Sequence, residues 1–252
     1  MLRKPLAICR ALLMALTTVV FLSPLLLIVA VSGPKPQLGL RVRQVWAHVV
    51  CWIAGIRYRR TGQPLGEACF YVSNHRSYFD PIITLMHARA LPVAKADIRR
   101  WPLIGFAAAA TGIHFVERAS KSSRSETVRK MAATVKAGSS ILIYPEGTTT
   151  GAPRTGDFKA GAFFVAAQQA IPVVPVAVDY GAPEDYWVGD WGFGDHFLYA
   201  FGKWRTRVTI DYGPALRSDD ARTLLDQTKN WIDARLAIHQ TFTLPESSPT
   251  NG

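Results

Sequence analysis

Residues 69–81 read Cys-Phe-Tyr-Val-Ser-Asn-His-Arg-Ser-Tyr-Phe-Asp-Pro, an apolar run that ends in a polar turn and then in a proline able to open a helix. A short, continuous apolar run bounded by turn residues reads as a strand. The turn after such a strand leaves backbone amides free, and a side chain there can face a cleft at the strand's carboxyl end. His75 and Asp80 both lie in it, five residues apart. A turn can fold that spacing so that the carboxylate accepts the imidazole N–H, fixing the tautomer and leaving the other nitrogen as a base. Taken alone, the pair also fits an N-capping Asp beside a solvent-exposed His.

Working outward, the chain from residue 60 alternates short β-rich runs with helical stretches separated by Gly, Pro or Asn. That alternation predicts an α/β fold, an αβα sandwich in which helices flank a central mixed sheet. Strands are expected near 69–73, 92–94, 113–116, 140–144, 173–178 and 207–211. Helices are expected over 81–88, 102–110, 122–137, 160–170 and 219–238. The main body then spans 61–244, between N-terminal helices over 1–60 and a polar tail over 245–252 that is expected to be disordered.

The N-terminal part divides in two. From Ala11 to Val31 the chain is uncharged, ALLMALTTVVFLSPLLLIVAV, and about as long as the roughly 20 residues needed to cross a bilayer. A signal peptide shares the pattern, but its apolar run is usually only about 7–15 residues. Pro24 should kink this helix or divide it into two arms. The segment from Leu38 to Ile56 mixes Arg41, Arg43 and His48 with Leu, Val, Trp and Ile. It fits an interfacial amphipathic helix or a core helix equally well. Together the two segments predict a membrane-anchoring helical pair that spans the bilayer or dips into one leaflet.

With 29 Lys+Arg against 18 Asp+Glu, the chain carries a formal net charge of +11 and should meet anionic partners. Its basic residues are dispersed among apolar runs, without a basic tail or an RNA-binding signature, which argues against nucleic acid. The cluster Arg57-Tyr58-Arg59-Arg60 follows an apolar segment, as a surface that meets lipid headgroups would. Cys9, Cys51 and Cys69 are scattered and odd in number, so neither a disulfide framework nor a metal site is suggested.

Three further segments repeat the strand-then-turn pattern. Ile141 to Thr148 (ILIYPEGT) runs into a turn that holds Glu146 and Gly147, the latter permitting positive φ or close approach of a ligand. Gly112 to Arg118 (GIHFVER) ends in a charged pair whose Arg118 suits bidentate phosphate binding. Ile171 to Val176 (IPVVPV) carries prolines that suit a strand entrance and an edge.

These four segments, in this order from Asn74 to Val176, resemble the NHxxxxD, GxxFxxR, PEGT and VPV motifs of the glycerolipid acyltransferase family that includes 1-acylglycerol-3-phosphate acyltransferases. The resemblance implies that His75 is the catalytic base and Asp80 its orienting partner. Asn74, Arg118, Glu146, Gly147 and Thr148 would then shape the acceptor site. Lys95, matching a frequent family lysine, would support the oxyanion or the turn, and equally fits a plain surface lysine.

The implied partners are an acyl-CoA or acyl carrier protein donor, a lysophospholipid acceptor and membrane lipids. No metal or other cofactor is implied. The implied setting is a bacterial inner membrane with the catalytic domain on its cytoplasmic face. The sequence departs from many lysophosphatidate-using members where Thr149 and Thr150, rather than Arg, follow the PEGT box. Phosphate binding would therefore rest on Arg118, Lys159 or Arg154. Members acting on other acceptors, including lyso-ornithine lipid and lysophosphatidylcholine, resemble this Thr-containing variant.

Two other classes compete. A hydrolase using Ser73 or Ser77 with His75 and Asp80 would need three neighbours on one turn to converge as separate triad members do. A non-catalytic membrane-surface protein leaves the polar residues at the strand ends unexplained.

Overall fold

The computed structural model describes residues 3–33, 35–96, 114–116 and 121–243. Seven strands form one sheet: β1 (Ile56–Thr61), β2 (Phe70–Ser73), β3 (Ala90–Lys95), β4 (His114–Val116), β5 (Ser140–Ile143), β6 (Val173–Tyr180) and β7 (Thr206–Tyr212), in the order β1-β7-β6-β2-β5-β3-β4. Neighbours are parallel except β6 and β7. The carboxyl ends of β2, β3, β4, β5 and β6 therefore share one edge, and the turns that follow them meet there.

Residues of β2 alternate between two cores. Tyr71 faces one with Leu142, Val174, Val176 and Ile210; Phe70 and Val72 face the other with Ile141 and Val173. Both faces are thus buried, which explains why the central strands read as unbroken apolar runs. Fully burying one such Leu, Ile or Phe contributes about 1.5–3 kcal/mol. The first face is covered by α2 (Pro36–Ile53), α3 (Asp80–Leu85) and α6 (Phe193–Ala200). The second is covered by α4 (Lys121–Lys136), α5 (Gly161–Gln168) and α7 (Ala221–Thr243). The fold is the expected αβα sandwich with a mixed sheet.

Several expectations need correction. Residues 56–61 form an edge strand that was not expected, β1, paired with β7 from Ile56↔Thr206 to Thr61↔Asp211. Residues 57–59 of this strand are exposed. Pro175 lies in a central strand rather than at an edge. It is tolerated because the β6–β7 ladder begins only at Val176, and the segment beside Pro175 is an irregular one whose Gly213 N–H donates to the Pro175 carbonyl (2.9 Å). Helix α6 was not expected at all. The helix expected over 102–110 lies outside the described residues.

Helix α1 (Arg3–Ser32) is 30 residues long, about 45 Å, and continues through Pro24 rather than dividing there. It is long and apolar enough to cross a membrane. Its first turns are docked on the body. Arg10 is buried and donates to the carbonyls of Phe201 (2.7 Å), Lys203 (2.5 Å) and Trp204 (3.0 Å) just past α6. Gly55 (φ +75°) closes the turn from α2 to β1, where a side chain would collide with the Arg10 guanidinium. Further along, the Trp46 indole of α2 donates to Thr18 (3.1 Å).

Helix α2 carries both characters that its sequence left open. Ala47, Val50 and Cys51 join the core, while Val45 and Trp52 are exposed.

Candidate active site

Strand β2 delivers Asn74 and His75 to the shared edge. Asn74, expected among the substrate contacts, is 1% exposed, and its amide pairs with the backbone of β6. Its Nδ2 donates to the Val178 carbonyl and its Oδ1 accepts from the Val178 N–H, both at 2.8 Å. It pins the turn to β6.

Asp80, at the first position of α3, is completely buried. Its Oδ2 accepts from His75 Nδ1 (2.8 Å) and from the backbone N–H groups of Arg76 (2.6 Å) and Ser77 (2.8 Å). Its Oδ1 accepts from the Tyr180 hydroxyl (2.7 Å). A carboxylate on Nδ1 places the imidazole proton there and leaves the Nε2 lone pair outward. The His75 side chain is 17% exposed, and no described residue hydrogen-bonds its Nε2. The Tyr144 ring stacks on the imidazole at 4.2 Å and 26°.

After β5, Gly147 takes φ +77°, and a side chain there would collide with the Lys159 ammonium. Glu146 precedes it, with both carboxylate oxygens buried and lacking a hydrogen-bond partner of ordinary geometry. Burial pushes the Glu146 carboxyl up to about 7; the Arg76 charge opposes the rise and the Asp80 charge adds to it. Thr148 is exposed beside this turn, as are Lys159 and Arg154.

Arg76 is fully buried at the centre of this assembly. Its Nη1 donates to the carbonyls of Thr150 (2.9 Å) and Ala152 (2.5 Å), and its guanidinium lies 5.0 Å over the Tyr186 ring. Its Nε is 3.7 Å from Asp179, whose Oδ1 accepts from the Tyr186 hydroxyl at 2.7 Å. The backbone closes the same way. Thr150 N–H donates to His75 O (2.9 Å), Trp187 N–H donates to Arg76 O (2.8 Å), and the Thr149 hydroxyl donates to Trp187 O (2.5 Å). The Thr149-Thr150 pair that departs from the family pattern is thus part of the clasp.

His75, Asp80, Glu146, Gly147 and Thr148 are therefore brought to one edge. Lys95 ends β3 at that edge, and its side chain lies outside the described residues. Arg118 also lies outside the described residues. Sequence reasoning missed Arg76, Tyr144 and Tyr180. Tyr144 sits within the quoted ILIYPEGT segment, and Tyr180 shares the strand parity of Val174, Val176 and Val178. Their burial and partners left no trace in spacing.

A family model described as Acyltransferase matches residues 54–179. A lyso-ornithine lipid O-acyltransferase of Rhizobium meliloti is 29% identical over 194 residues, covering 69% of this chain and 66% of that protein. A chloroplastic 1-acyl-sn-glycerol-3-phosphate acyltransferase of Brassica napus is 35% identical over 111 residues, 44% of this chain and 32% of that protein. The chain thus spans between about a third and two thirds of the length of these relatives. In fold, the crystal structure of the 1-acyl-sn-glycerophosphate acyltransferase from Thermotoga maritima superposes with a TM-score of 0.66 at 18% identity, covering 96% of this chain and all of that one. With half of its length matched by the family model, the chain belongs to the acyltransferase family.

Proposed function

We propose that this protein transfers an acyl group from acyl-CoA or acyl carrier protein to the sn-2 hydroxyl of 1-acylglycerol-3-phosphate, giving phosphatidic acid, with His75 as the general base. The observation that carries this reading is the buried Asp80 on His75 Nδ1 at 2.8 Å, with Nε2 left toward the open edge. The acceptor hydroxyl gives its proton to Nε2 as its oxygen attacks the thioester carbonyl. The tetrahedral oxyanion collapses with loss of the thiolate, which takes the proton back from the imidazolium. Lys95 or backbone amides would stabilise that oxyanion. Glu146, Gly147 and Thr148 would hold the glycerol portion of the acceptor, and Arg118 with Lys159 or Arg154 its phosphate.

A second acceptor, lyso-ornithine lipid, is favoured by one observation. Exposed Asp190 and Asp195 stand beside Trp191 in an open hollow tied to the catalytic turn through Trp187, whose indole donates to the Trp191 carbonyl (3.0 Å). Carboxylates with an aromatic face suit an ammonium-bearing headgroup.

For the membrane, the proposed arrangement is a hairpin of α1 and α2 dipping into one leaflet, with the active site on the cytoplasmic face of a bacterial inner membrane. α1 packs along α2, which is itself bound to the body through Arg43 to the Ala90 carbonyl (3.1 Å) and Gln44 to the His87 carbonyl (3.0 Å). A helix packed along α2, which is itself fixed to the body, is expected to stay on the body's side of the bilayer.

The test is acyl transfer by membranes carrying the protein or His75→Ala, with labelled acyl-CoA and each lysolipid in parallel. Turnover should fall by about 10²–10⁴-fold in the variant. Equal rates in the two would remove the base from His75.

A further inference from the structure

The two oxygens of Asp80 are served unequally. Oδ2 takes three donors, all from the turn that contains Asp80, whereas Oδ1 takes one, the Tyr180 hydroxyl at 2.7 Å from β6, a hundred residues away. Tyr180 is 4% exposed and faces the same core as Val176 and Val178. The terminal torsion of an aspartate is soft, so donors gathered on one oxygen leave the carboxylate plane free to swing. A second anchor on the other oxygen fixes that plane, and with it the direction from which the carboxylate meets His75 Nδ1. A phenol O–H also draws charge toward itself, lowering the negative potential that the imidazole senses.

We propose that Tyr180 is a positioning residue of the His75–Asp80 pair, fixing the plane of the Asp80 carboxylate and setting how strongly it stabilises the protonated imidazole. The titratable groups facing this pair from other elements are Tyr144 and Glu146 after β5, with the Arg76 guanidinium acting on Glu146. Burial and the Asp80 charge both hold the Tyr180 phenol well above its ordinary range, so it remains a donor at every working pH. The kinetic arm of the test rests on the acyl-transfer reading; the titration arm does not.

The experiment uses the full chain in detergent micelles, as parent, Tyr180→Phe, Asp80→Asn and the double variant. The His75 imidazole resonance, identified by its loss in His75→Ala, is titrated by NMR. In Tyr180→Phe its midpoint should move up by about half to one pH unit, because the carboxylate turns more of its charge toward the ring. In the Asp80→Asn background the same change should move nothing, since the tyrosine acts only through the carboxylate. With an active acceptor, kcat should fall about tenfold in Tyr180→Phe while KM for both substrates stays within about twofold.

An unmoved midpoint in Tyr180→Phe overturns the proposal. So does an equal loss in both backgrounds, which is what lost packing alone would give. If no acceptor turns over, the titration still decides the role of Tyr180, and only the acyl-transfer reading fails.

Discussion

At Glu146 a buried carboxyl is held up to about 7 against an ordinary value of 4.5, with no hydrogen-bond partner of ordinary geometry for either oxygen. Between those two pH values the folded chain keeps a proton that the unfolded chain has released. Stability therefore falls as pH rises through that window, and the full cost is present above it. Glu146→Gln should accordingly be more stable than the parent by on the order of 2 kcal/mol at pH 8 and nearly equal to it near pH 4.5. Urea unfolding at both pH values checks this; a difference that does not depend on pH would mean that the carboxyl does not titrate in the fold. The same variant should lose activity, because the site retains the acid despite its cost to stability. His75 and Glu146 were legible as residues because each sits in a turn directly after an apolar strand, and Asp80 because it precedes the proline that opens the next helix. Arg76 was not, since burial of a guanidinium depends on carbonyls supplied from residues 150 and 152.

Among the elements, the first turns of α1 are held to the body by a cation. Arg10 donates to three carbonyls past α6, and those acceptors have few other partners so close to a helix end. Arg10→Met keeps the length and removes the donors, and should weaken the docking by about 2 kcal/mol. Hydrogen exchange in micelles should then speed up over the first three turns of α1 while β2, β5 and β6 keep their protection. Uniformly faster exchange would mean that α1 is integral to the core rather than docked on it. The central strands and α7 were legible because burial on both faces, or a long amphipathic period, shapes sequence directly. Strand β1 was not, because an edge strand with exposed residues 57–59 reads like a basic surface loop.

For the whole molecule, the arrangement of α1 along α2 predicts that both ends of α1 stay on one side of the membrane. Cys9, near its start, is exposed, whereas Cys51 and Cys69 are buried. In sealed vesicles a membrane-impermeant maleimide should label Cys9, and a Ser32→Cys introduced in a Cys9→Ser background, from the same side. Labelling from opposite sides would establish a span and overturn the one-leaflet hairpin. The sequence by itself determined the αβα class, the long apolar N-terminal segment and the turn residues at the strand ends, because burial periodicity and turn chemistry act over a few neighbouring positions. Only the tertiary structure decided that Tyr180 reaches Asp80, that Asn74 is spent on Val178, and that α1 lies against the body rather than apart from it. Those contacts join residues up to about two hundred positions apart, and no local pattern encodes which distant backbone or hydroxyl a side chain will meet.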